Sequence, residues 1–217
     1  IIIFAVLLFF AQHKWRKEYR LRRKIERESM ELHLQQLKNQ INPHFLFNSL
    51  NSLSVLIGTD STLAKEFVLK LSKVYRYLLE TRNESLSTVK EEIDFTRQYY
   101  FLQKIRFGEQ MDLTIQVSPL SLEAKIPSMS LQMLVENAIK HNLVTIQNPL
   151  HINIHDEGDW LIVENNYQPR GESREASMGV GFERIRTIYE FYSPEKFVCG
   201  CQNGYYVCRL PLLKNGL

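Results

Sequence analysis

QINPHFLFNSLNSL, residues 40–53, is the stretch from which the rest of the chain is read, because it joins a helix start, a reactive side chain and an apolar seam. Pro43 fixes its own φ and has no N–H to leave unsatisfied, so it suits a first helical turn, with Asn42 before it as N-cap. A helix is therefore predicted from about residue 42. Leu46, Leu50, Leu53 and Ile57 fall on one side of that helix as a seam for partner helices, and His44, Asn48, Asn51 and Val55 fall on the other. His44 thus points outward, with Asn48 one turn away and able to hold one imidazole nitrogen while the other stays open. On pattern alone, a surface or capping histidine fits as well as a reactive one.

Working outward, the chain has 217 residues, 44% hydrophobic and 24% charged, enough for one or two globular units and too apolar for a disordered tail. The net charge of +3 is unevenly placed, since Lys14, Arg16, Lys17, Arg20, Arg22, Arg23, Lys24 and Arg27 crowd one segment. Such a run can bind nucleic acid, but its neighbour argues otherwise. Residues 1–10, IIIFAVLLFF, are wholly apolar and as a helix span about 15 Å, where a bilayer core needs about 30 Å. Residues 1–12 are therefore expected to be the end of a transmembrane helix, and residues 13–39 a basic connector or coiled-coil helix on the cytoplasmic side of the membrane. No nucleic-acid partner is expected. Cys199, Cys201 and Cys208 lack zinc-ligand spacing and read as reduced strand residues.

Downstream of the first helix, GTDST at 58–62 interrupts the pattern, and Leu63, Phe67, Leu71, Val74 and Leu78 lay down a second stripe. Residues 40–84 are expected to form a helical hairpin, and covering both seams calls for a homodimer with a four-helix bundle. Thr88 and Glu91 have capping-box spacing and open a linking helix to about Arg106. The period then changes: Met111, Leu113, Ile115 and Val117 alternate as a half-buried strand, so residues 85–217 form a second, α+β domain. In it, Leu131, Leu134, Val135, Ala138 and Ile139 make one helical face, and Met133, Glu136, Asn137 and Lys140 the other. Strands follow at 151–155, at WLIVEN (160–165), and at KFVCGC and YYVCRL, with a helix at 182–192 and a polar loop over 166–178.

The run at 40–53 resembles the phosphoacceptor motif of the LytS-type sensor histidine kinases, Q-x-N-P-H-F-x-F-N. LVENAIKHN (134–142) and GVGF (179–182) resemble the N-box and G2 motif of the GHKL ATPase superfamily. The resemblance implies a GHKL-type α/β sandwich that binds ATP and Mg²⁺, autophosphorylation on His44, and transfer to a response regulator. Asn137 would be the Mg²⁺ ligand, Lys140 and His141 would meet phosphate oxygens, and Gly179 and Gly181 would bring backbone N–H groups to the phosphates. Asn165, Tyr167 and Pro169 stand where the superfamily has Asp, Gly and Gly. Phe182 and Arg184 replace the Leu and Asn of the G2 helix. Asn165 would read adenine as a neutral acceptor, more weakly than an aspartate. A nucleotide-binding dimeric scaffold without phosphoryl transfer is the alternative that these departures leave open.

Overall fold

The computed structural model describes residues 43–81, 84–170 and 180–213. The expected transmembrane end, the connector, Asn42 and Gly179 lie outside the described residues. Two compact units divide the chain, Ile1–Asn51 and Ser52–Leu217.

Helix α1, Pro43–Thr59, starts on the proline that suits a first turn. Its buried residues are Phe45, Ser49 and Leu56, while Leu50 and Ile57 of the expected seam are exposed, together with Phe47. Leu46 and Leu53 are half-buried, so the seam is left partly open beside the buried face. Asp60 alone separates α1 from α2, Ser61–Glu80, and caps it: its carboxylate accepts from the N–H groups of Thr62 at 3.0 Å and Leu63 at 2.9 Å. On α2 the predicted stripe is the buried one, with Phe67 and Val74 removed from solvent.

The stripe of α2 packs along α3, Val89–Phe107. Thr88 and Glu91 form the expected capping box, and Gly108 ends the helix at φ 57°, a left-handed conformation that glycine adopts without strain. Tyr77 of α2 stacks on Phe95 of α3 with centroids 4.6 Å apart. A two-stranded ribbon of β1 (Leu86–Thr88) and β3 (Lys125–Pro127), with the short helix α4 (Pro119–Leu122), was not legible as periodicity.

The main sheet has the order β2-β4-β5-β7-β6, with β2 Met111–Gln116, β4 Leu150–Glu157, β5 Trp160–Asn166, β6 Val198–Gln202 and β7 Tyr205–Pro211. Only β2 and β4 pair in parallel, which requires the crossover through α4, β3 and helix α5, Ser130–His141. β6 and β7 close on Asn203 and Gly204, both at positive φ, the Asn-Gly turn whose twist suits a hairpin. Leu131, Leu134, Val135, Ala138 and Ile139 of α5 are buried as the sequence predicts, and α5 packs on β4 and β5. Helix α6, Val180–Tyr192, lies beside α5, and its Phe182 stacks on Phe197 at 5.7 Å. The class is α+β.

Candidate functional site

His44 is exposed near the start of α1, and its Nε2 lies 3.1 Å from Nδ2 of Asn48. One helical turn brings the two side chains together, as their spacing predicts. An amide NH₂ only donates, so Nε2 accepts and the ring proton sits on Nδ1. The contact suits the tautomer in which Nε2 accepts from the amide.

The second group of candidates lies on α5, away from its buried face. Asn137 is half-buried and Lys140 exposed. Gly181 approaches this helix one turn before Asn137: a Cβ on Gly181 would stand 3.0 Å from Sδ of Met133. The start of α6 and the polar face of α5 are thus neighbours, and glycine is what lets them come so close. His141 is exposed, and its pKa is lowered by partial burial and by the nearby cations Lys140 and Arg170. Partial burial and the nearby cations thus disfavour its charged form.

Asn165 is buried at the end of β5, on the face that also carries Leu161 and Val163. Its Nδ2 donates to the carbonyl of Asn166 at 2.7 Å, so Oδ1 is the atom left to accept. An aspartate at this position would place a carboxylate oxygen against that carbonyl.

Two residues that periodicity did not single out tie the site together. Asn142 is buried just past the end of α5; its Nδ2 donates to Ala138 O at 2.9 Å, and its Oδ1 accepts from Gln168 N at 2.8 Å. Arg170 donates through Nε to Asn142 O at 2.6 Å and through its backbone N–H to His141 O at 3.1 Å. The first residues of the expected polar loop, 167–170, are therefore laced to the end of α5, and Arg170 joins Lys140 as a second cation there. Asn142 lies in the same stretch, LVENAIKHN, as Asn137; the motif resemblance assigns the metal to Asn137 and no role to Asn142. The fold supplies the role of Asn142, as the tie between α5 and the residues after β5.

As a metal centre the site is sparse. Among the described residues no cluster of three His, Cys, Asp or Glu side chains could hold an ion. Asn137 offers a single neutral oxygen, which fits a Mg²⁺ that arrives with phosphates and keeps most of its water.

The histidine kinase family model matches residues 32–111, which include His44, Asn48, α2 and α3. The sensor protein LytS of Enterococcus faecalis is 33% identical over 60% of this chain and 24% of its own length. The sensor protein kinase HptS of Staphylococcus aureus is 37% identical over 54% of this chain and 22% of its own. The chain thus spans about a quarter of the length of the curated relatives it matches. The cytoplasmic segment of histidine kinase QseC superposes over 66% of this chain and 92% of that one, with a TM-score of 0.43 and 11% identity, a likeness too slight to bear on the site. The sequence match and the helix that carries it agree: over residues 32–111 the chain matches the histidine kinase family, and it is similar to the sensor kinases LytS and HptS over 54–60% of its length.

Proposed function

We propose that this chain is the kinase portion of a membrane-bound sensor histidine kinase, taking the γ-phosphoryl group of Mg·ATP onto His44 and passing it to an aspartate of a response regulator. The observation that carries this reading is the contact between exposed His44 and Asn48 at 3.1 Å, inside the stretch matched by the family. With the ring proton on Nδ1, the Nε2 lone pair is the nucleophile. As the phosphate arrives, the amide of Asn48 swings aside, the Nε2–P bond forms while the bond to the ADP oxygen breaks, and the Nδ1 proton leaves to solvent. Phe45 follows His44, so no adjacent carboxylate serves as base. Asn137 would complete the shell of the Mg²⁺, Lys140 and Arg170 would meet phosphate oxygens, and the amides near Gly179 and Gly181 would approach them at the start of α6. Bound Mg²⁺ supplies charge neutralisation on the phosphates. Asn165 Oδ1 would accept from the adenine amino group.

Exposed Phe47, Leu50 and Ile57 favour a second copy of the chain as the partner of α1. The apolar run 1–10 with basic residues after it favours a membrane anchor, with this region on the cytoplasmic side. Incubation with γ-labelled ATP and Mg²⁺ tests the reading. Acid-labile, alkali-stable label is expected on the wild type and none on His44→Gln, with ATP binding kept. ATP binding without label would leave a nucleotide-gated scaffold, the reading favoured by Asn165 and Arg184.

A further inference from the structure

Glu92 is the most deeply buried acid among the described residues, with no exposed surface, and it lies on α3 facing two other helices. Its Oε1 accepts from the backbone N–H of Met129 at 2.7 Å and from the hydroxyl of Tyr77 at 2.8 Å; its Oε2 accepts from the N–H of Leu131 at 3.1 Å. Burying a carboxylate among apolar side chains is costly unless donors surround it. Here three donors do, and they come from the first turn of α5 and from the last turn of α2. Burial, which outweighs the pull of the N–H groups and the phenol, holds the carboxyl's pKa above its usual range.

Helix α5 needs this acid. The first N–H groups of a helix have no partner within it, and α5 has neither a side-chain cap nor an acidic residue in its first turn. Its N-cap residue, Met129, is held at φ 71°, a left-handed conformation that a residue with a Cβ occupies only when its surroundings impose it. Glu92 takes the N–H of Met129 itself. A side chain from another helix thus supplies the cap, acceptor oxygens at the positive end of the helix dipole, and the restraint on a strained residue. Ser87 and Ser128, whose hydroxyls are 2.7 Å apart, add a second tie at the same end. Asn137 lies seven residues into this helix, about 10 Å along its axis, so a change of angle at Met129 moves the candidate metal ligand.

We propose that Glu92 is the positioning residue through which helix α2 sets the nucleotide affinity of helix α5. This rests on the function proposed above. Tyr77 is the contact on α2: rotation or axial shift of that helix removes a donor from Oε1 and loosens the cap of α5. The coupling is short, as one carboxylate touches both helices.

Tyr77→Phe in the full chain is the clean probe, because phenylalanine keeps the stacking on Phe95 and loses only the hydroxyl. Amide hydrogen exchange at Met129 and Leu131 is expected to quicken, and the Kd for Mg·ATP to rise roughly three- to tenfold. The rate of His44 labelling at saturating ATP is expected to stay within about twofold, a split that general damage to the fold does not give. In a Glu92→Gln background, where the glutamine NH₂ meets a backbone N–H, the Tyr77→Phe change should have no further effect on Kd. If Glu92→Gln does not fold, the single Tyr77→Phe comparison still decides. Unchanged exchange at Met129 and Leu131, or an unchanged Kd, overturns the proposal while leaving the kinase reading intact. A wild-type chain that binds no Mg·ATP overturns both.

Discussion

Replacing Asn142 by alanine separates the fold of the candidate site from its chemistry. The side chain is buried and makes two hydrogen bonds, donating to Ala138 O at 2.9 Å and accepting from Gln168 N at 2.8 Å. Truncation orphans the N–H of Gln168 and removes one partner of the Ala138 carbonyl. An unsatisfied buried polar group costs about 1–3 kcal/mol, and the helix carbonyl, with its second lone pair, costs less, so a loss of about 2–4 kcal/mol is expected. The backbone bond from Leu143 N to Gln168 O remains, so the loop loosens without detaching. Asn142→Asp keeps the acceptor for Gln168 but sets a carboxylate oxygen against the Ala138 carbonyl, and should recover only part of the loss. Asn137 makes no hydrogen bond of this kind; Asn137→Ala should change stability by no more than about 0.5 kcal/mol while removing Mg²⁺-dependent nucleotide binding. Urea unfolding of the three variants, beside calorimetric titration with ATP with and without Mg²⁺, measures both quantities. A loss under about 0.5 kcal/mol in Asn142→Ala would refute the reasoning, since Gln168 N would then be satisfied without it.

Asp156 accepts from Ser118 N at 2.9 Å, Ser118 Oγ at 2.5 Å and Ser121 Oγ at 2.6 Å. Burial resists its ionisation, but these donors prevail and hold its carboxyl below the usual range. A depressed folded-state pKa gives stability that is present above the unfolded value and lost as pH falls through the folded one; Asp156→Asn should be less stable near neutrality and lose less on acidification below about pH 4, as followed by denaturant midpoints. Gly181→Ala should cost about 1 kcal/mol or less, because Met133 can shift its thioether, whereas Gly181→Val should cost about 1–3 kcal/mol and be rescued by Met133→Ala in thermal melts. Asn165→Asp should lower stability by about 1–3 kcal/mol, because its carboxylate would face the Asn166 carbonyl in a buried place; a variant as stable as wild type in urea argues against that contact.

The sequence by itself determined what depends on local geometry. The start of α1 at Pro43, the capping box at Thr88 and Glu91, the buried face of α5 and the approach of Asn48 to His44 all follow from spacing along one element, where neighbours at i, i+3 and i+4 must meet. The resemblance of QINPHFLFNSLNSL then named the chemistry. Tertiary structure decided what depends on partners distant in sequence. On α1, periodicity marks Leu50 and Ile57 as apolar but does not say which apolar stripe the single chain covers; the fold covers Phe45 and Leu56 and leaves the others open. The motif singles out Asn137 and leaves Asn142 without a role; that role appears only because Gln168, 26 positions after Asn142, returns to bond it. Glu92 reads as one acid among several on a capped helix. Its burial between Tyr77 and the first turn of α5 follows from a crossover that brings Met129, 37 residues away, over its carboxylate, and no period along the chain encodes that meeting.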